Sequence, residues 1–74
     1  MTLEIELFGQ LLPGVQRCQN MNLDGEMYVH EVAKSLGLES DEIGLITING
    51  VQSEMDDIVH PGSRLCFFPY MSGG

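Results

Sequence analysis

The sequence predicts an α+β fold in which one main helix packs on one face of a four- to five-stranded mixed sheet. Three observations carry that prediction. The start of the chain alternates apolar and polar residues, residues 28–37 carry one apolar stripe at helical spacing, and an apolar run near the end stops against a proline. Strand patterns on both sides of a single helix leave one sheet face and one helix stripe to bury, and two packed layers bury both.

In "TLEIELF", Leu3, Ile5 and Leu7 face one way and Glu4, Glu6 and Phe8 the other, a half-buried strand with one wet face. "GQLLPG" breaks the strand through Gly9, Pro13 and Gly14. "VQRCQNMNL" is a weaker strand able to pair with the first as a hairpin, and Asp24-Gly25 ends it. In "YVHEVAKSLG", Val29, Val32, Ala33 and Leu36 fall at i, i+3, i+4 and i+7, with Gly37 placed to close the helix in left-handed geometry. No good capping residue precedes this helix. "GLITING" is a short apolar strand stopped by the Asn49-Gly50 turn signal. His60-Pro61-Gly62-Ser63 makes a further break before the last strand, "RLCFF", where Pro69 ends pairing by removing a backbone donor.

The order strand, strand, helix, strand, short segment, strand matches the β-grasp (ubiquitin-like) arrangement, with first and last strands parallel neighbours at the centre. The expected core is Leu3, Ile5, Leu7, Val32, Leu36, Ile46, Ile48, Leu65 and Phe67. Phe8 and Phe68 then face away from the helix and lie together where the chain leaves the sheet. Such a pair is either a cross-strand contact or the anchor of an interface.

Composition narrows the function. Seventy-four residues at 43% hydrophobic make one small folded domain. No run approaches the roughly 18 apolar residues of a membrane helix, and the acidic start argues against an export signal, so the expected location is cytoplasmic. A net charge of −8, from 11 acids and 3 basic residues, disfavours nucleic acid and suits a solvated surface steered toward basic proteins. Cys18 and Cys66 form no metal or redox motif; reduced thiols are expected, with one bridge left open. His30, His60 and the adjacent Asp56-Asp57 form no catalytic constellation, and the spacing shows no zinc site, P-loop or dinucleotide fingerprint.

The end of the chain, "FFPYMSGG", is chemically distinctive. The division expected is a domain over residues 1–68 and a flexible tail over 69–74, the latter spanning at most about 20 Å when extended. Glycines pass through narrow channels, and a terminal carboxylate can be activated as a mixed anhydride with AMP.

"FFPYMSGG" resembles the terminal signature of the MoaD/ThiS family of ubiquitin-like sulfur carriers, commonly F-x-P-P-x-x-G-G. The resemblance extends over "ELFGQL", "VHEVAKSLG" and "ITING". It implies a protein co-substrate, not an enzyme, with no bound cofactor. A ubiquitin-activating-like enzyme would use ATP to adenylate Gly74. A desulfurase- or rhodanese-type donor would convert it to a thiocarboxylate, and a synthase subunit would accept the sulfur. Gly73 and Gly74 match the reactive diglycine. Phe8 and Phe68 match aromatic positions resembling the partner-contact surface, and Pro69, Tyr70, Met71 and Ser72 match the tail. Tyr70 replaces a frequent second proline, and "HPGSR" replaces a common Gly-Asp turn. The double Phe leans toward the molybdopterin (or tungstopterin) pathway and the large subunit of its synthase. Alternatives are a carrier for the thiamin thiazole or another sulfur-containing metabolite, and an interaction module that transfers no sulfur.

Overall fold

The structure is a computed structural model, and it describes residues 1–9, 11 and 16–70. The strands are β1 (Thr2–Leu7), β2 (Cys18–Asn22), β3 (Met27–Tyr28), β4 (Ile43–Ile48), β5 (Val51–Ser53), β6 (Ile58–Val59) and β7 (Arg64–Pro69), with the helix α1 at Val29–Leu36. The main sheet runs β2-β1-β7-β4-β5. β1 and β7 are parallel at its centre, with Ile5 opposite Leu65 and Leu7 opposite Phe67. This is the β-grasp order expected from the sequence.

The alternating residues of β1 bury as expected: Leu3, Ile5 and Leu7 are almost fully enclosed, as are Val32, Ile46, Leu65 and Phe67. Leu36 and Ile48 are only partly buried against this core. Leu11, Leu23, Val29, Ala33, Leu38, Ile43 and Val59 complete it. Several of these sit in two-residue strands or connections too short to show a period. β3 and β6 pair as a separate two-stranded sheet.

The helix start, poorly capped by sequence, is satisfied in two ways. Glu31 reaches back to accept the Tyr28 backbone N–H at 3.1 Å. The N–H groups of Val29 and His30 donate to the carbonyls of Asp57 and Met55, each at 2.9 Å. Orphan donors of the first turn therefore find backbone partners in the segment before β6. At the other end Gly37 adopts φ 84°, the left-handed geometry a helix stop uses. Asn49 (φ 52°) and Gly50 (φ 83°) make the two-residue turn between β4 and β5, as their positive φ values require. The acids at Asp56-Asp57 belong to a turn, with Asp57 accepting the Glu54 backbone N–H at 2.8 Å.

One expectation is corrected. Pairing does not stop before Pro69: that residue lies opposite Ile43 in register, and the Tyr70 N–H donates to the Glu42 carbonyl at 3.1 Å. Pro69 lacks a donor, but its register with Ile43 and the N–H of its neighbour keep the chain paired past residue 68. The two cysteines are both free. They sit on the strands flanking β1, each opposite Glu6, so about 10 Å of sheet separates them and no bridge can form without backbone movement.

Candidate functional site

The end of the central strand pair creates the site. Because Leu7 pairs with Phe67, the next residues, Phe8 and Phe68, meet on the face away from the helix. Their rings stack with centroids 4.4 Å apart and planes 8° from parallel. Both are half-buried rather than fully exposed. The Phe8 N–H donates to the Phe67 carbonyl at 2.9 Å, which fixes the register of the pair.

Two residues extend this pair across the sheet. Arg17, just before β2, lays its guanidinium over Phe8, 4.5 Å from the ring centroid. Leu45 of β4 lies opposite Phe68 and is 38% exposed. A row runs from cation through two aromatics to an aliphatic side chain. Neither flank was singled out by sequence. Arg17 lies nine positions from Phe8 and meets it only through the β1–β2 pairing, while Leu45 read simply as part of an apolar strand.

Below this row lies a charged one. Glu6, whose side chain is only 12% exposed, accepts from Arg17 Nε at 3.1 Å and is also bonded by Arg64 Nη2. The hydrogen bond and negative charge of Glu6 hold the Arg64 guanidinium above its ordinary pKa. Two of the three basic residues of a chain with net charge −8 therefore sit on this face. One shared carboxylate orients both of them. Cys66 is buried here between Glu6 and Thr47 in register, a packing position.

The base of the tail is enclosed by glycines. A Cβ at Gly9 would lie 2.7 Å from Pro69 Cγ, and one at Gly44 would lie 2.9 Å from the Pro69 carbonyl oxygen and 3.0 Å from Tyr70 Cα. Tyr70 itself is 67% exposed. Met71, Ser72, Gly73 and Gly74 lie outside the described residues.

The histidines stand elsewhere. His30 is exposed and stacked on Tyr28, centroids 5.2 Å apart. His60 Nδ1 lies 3.1 Å from Glu26 Oε2 on the surface. Among the described residues no group of three or more His, Cys, Asp or Glu could hold a metal ion, and no helix is long and apolar enough to cross a membrane.

The comparisons with known proteins agree with this architecture. The structure is similar to SAMP1 from Haloferax volcanii, with a TM-score of 0.76 and 26% identity over 100% of both chains. It is also similar to another structure of H. volcanii small archaeal modifier protein 1, with a TM-score of 0.71 and 20% identity over 92% of this chain and 95% of that one. The solution structure of the Haloferax volcanii HVO 2177 protein matches with a TM-score of 0.74 and 21% identity, covering 100% of this chain and 87% of that one. The two likenesses below 25% speak to the fold alone. No curated protein matches the chain. The family model described as Mut7-C ubiquitin matches residues 4–73, which takes in every strand but the first two residues of β1, together with the helix and most of the tail. The chain belongs to the Mut7-C ubiquitin family.

Proposed function

We propose that this ubiquitin-like protein is a sulfur carrier whose working group is the carboxylate of Gly74. The observation that carries the reading is the stacked Phe8–Phe68 pair beside the strand end that leads to Gly73-Gly74. It combines a preformed partner-contact surface with a short arm. The four residues after Tyr70 reach at most about 14 Å beyond the sheet, so a partner seated on the aromatic pair has the diglycine within its own active site. Aromatic anchors dominate interfaces of this kind.

The chemistry balances in three steps. The Gly74 carboxylate attacks the α-phosphorus of ATP on a ubiquitin-activating-like enzyme, and pyrophosphate leaves. A persulfide from a desulfurase- or rhodanese-type donor attacks the acyl adenylate, and AMP leaves. A donor thiolate then cleaves the sulfur–sulfur bond, releasing the thiocarboxylate and becoming a disulfide. This chain supplies the carboxylate and the docking face, and holds no cofactor of its own. The favoured acceptor is the large subunit of a molybdopterin synthase, with a thiazole synthase, serving the thiamin thiazole, as runner-up.

A second reading shares the first step. The Haloferax volcanii protein matched at 26% identity, SAMP1, is by name a small archaeal modifier protein. In that role an amine of another protein, instead of a persulfide, attacks the adenylate and forms an amide. Pyrophosphate exchange with the adenylating partner tests what both readings share. Activity is expected with the chain as it stands, and none when one residue is added after Gly74. Exchange that survives the added residue rules out both. If Phe68→Ala abolishes the partner complex while removal of Gly73-Gly74 changes nothing, the chain is an interaction module instead.

A further inference from the structure

The two glycines around Pro69 come from different strands and serve different structural needs. Gly9 follows the end of β1 with φ 66°, where a side chain is rarely accommodated. Gly44 lies at the register shift between Ile43 and Leu45 in the β4·β7 ladder, and its backbone is not in the left-handed region. At Gly44, therefore, only the close approach of β7 requires a glycine. The three atoms nearest a Cβ there are all backbone, at 2.9 Å (Pro69 O), 3.0 Å (Tyr70 Cα) and 3.2 Å (Pro69 C). The three atoms nearest a Cβ at Gly9 all belong to the Pro69 ring, at 2.7 Å (Cγ), 3.3 Å (Cδ) and 3.6 Å (Cβ). One wall of the slot is read by the ring and the other by the main chain. The Tyr70 N–H, bonded to the Glu42 carbonyl, ties the floor.

We propose that Gly9 and Gly44 are positioning residues: they form a two-walled slot that holds Pro69 and Tyr70 in the sheet and sets where and in which direction the tail departs. The inference rests on the proposed role of Gly74. Two mobile joints before the diglycine would spread its positions over the full reach of the arm. Fixing the chain through Tyr70 removes both joints from the path to the diglycine. It also holds the departure point against the Phe8–Phe68 pair, since Phe68, Pro69 and Tyr70 are consecutive. A partner docked on the rings then meets the chain leaving the sheet at a fixed point and in a fixed direction, the alignment that proximity catalysis needs.

The size of the effect follows from the contacts. Ordinary contact begins near 3.4 Å, so a Cβ at Gly44 displaces Pro69 by about 0.5 Å (3.4 minus 2.9), and one at Gly9 by about 0.7 Å (3.4 minus 2.7). Misplacements approaching 1 Å cost on the order of 10²-fold in rate where alignment matters.

The test compares Gly44→Ala, Gly9→Ala and Pro69→Ala with the two double variants that include Pro69→Ala. One arm is amide hydrogen exchange on the protein alone; the other is steady-state adenylation by the activating partner. In Gly44→Ala, the Tyr70 amide should lose protection by about tenfold or more while the amides of β1 keep theirs. Its kcat should fall on the order of 10²-fold with KM nearly unchanged, because the Phe8, Phe68 and Arg17 face is intact. Gly9→Ala should behave alike and be partly rescued by Pro69→Ala, which removes the ring atoms in the way but leaves the strain of a side chain at φ 66°. Gly44→Ala should not be rescued, because its contacts are with backbone. Unchanged Tyr70 protection, a loss confined to KM, or equal rescue of both variants would overturn the slot. If Gly44→Ala does not fold, the Gly9–Pro69 pair decides alone. If wild type is not adenylated, the Gly74 reading fails, while the exchange arm still decides whether the slot exists.

Discussion

Truncating Phe8 and Phe68 to alanine, singly and together, separates the two roles their position allows. The rings are 4.4 Å apart and within 8° of parallel, and a stacked pair of this kind contributes about 0.5–1.5 kcal/mol beyond its area burial. Each ring is half-buried, so each single variant also loses part of a Phe burial of about 1.5–3 kcal/mol. Phe8→Ala additionally releases the Arg17 contact at 4.5 Å, worth about 0.5–1 kcal/mol where exposed. Urea unfolding of the four proteins should give single losses near 2 kcal/mol and a coupling of about 1 kcal/mol in the double-mutant cycle. In a domain of this size that coupling corresponds to about 4–8 °C in Tm. A coupling below about 0.3 kcal/mol, the level of ordinary additivity, would refute the claim that the rings act as a pair. Docking is the surplus. Phe68→Ala should weaken the complex with the adenylating partner by about 30-fold, the loss typical of a central aromatic anchor, under conditions where the variant is fully folded.

Two further outcomes follow from local geometry. Gly37→Ala should cost about 1 kcal/mol in urea unfolding, because φ 84° penalises a side chain; no loss would mean that the helix stop relaxes. In the native protein Cys18 should be alkylated rapidly and Cys66 only slowly, since the first is exposed and the second buried. Equal rates, or a single blocked pair without reductant, would contradict the separation of the two thiols across β1.

Much of the fold was legible because its long elements carry clean periods. Leu3, Ile5 and Leu7 alternate, and Val29, Val32 and Ala33 share a helix face. Asn49-Gly50 marks its turn by conformations few other residues adopt. The parallel placement of β1 and β7 then brought Phe8 to Phe68 without any local signal linking them. What the sequence hid depends on tertiary approach. Leu23, Leu38 and Val59 are buried from short segments with no period to read. The helix start is capped from its own third residue, Glu31, and by carbonyls of residues 55 and 57. Arg17 reaches Phe8 only through strand pairing. Gly44 looked like an ordinary strand glycine, because its reason is a backbone on the neighbouring strand. Pro69 misled for a related cause: its missing donor was visible, while the acceptors and the Tyr70 N–H that continue the pairing were not.

The central claim is that Gly74 carries sulfur, and the intact mass of the protein tests it most directly. After incubation with the adenylating partner, ATP and a persulfide donor, the chain should gain the mass of one oxygen-to-sulfur exchange, located at Gly74 by fragmentation. The same chain lengthened by one residue should gain nothing. An unchanged mass for the native chain under conditions that adenylate it, or sulfur appearing on the lengthened one, would contradict the account.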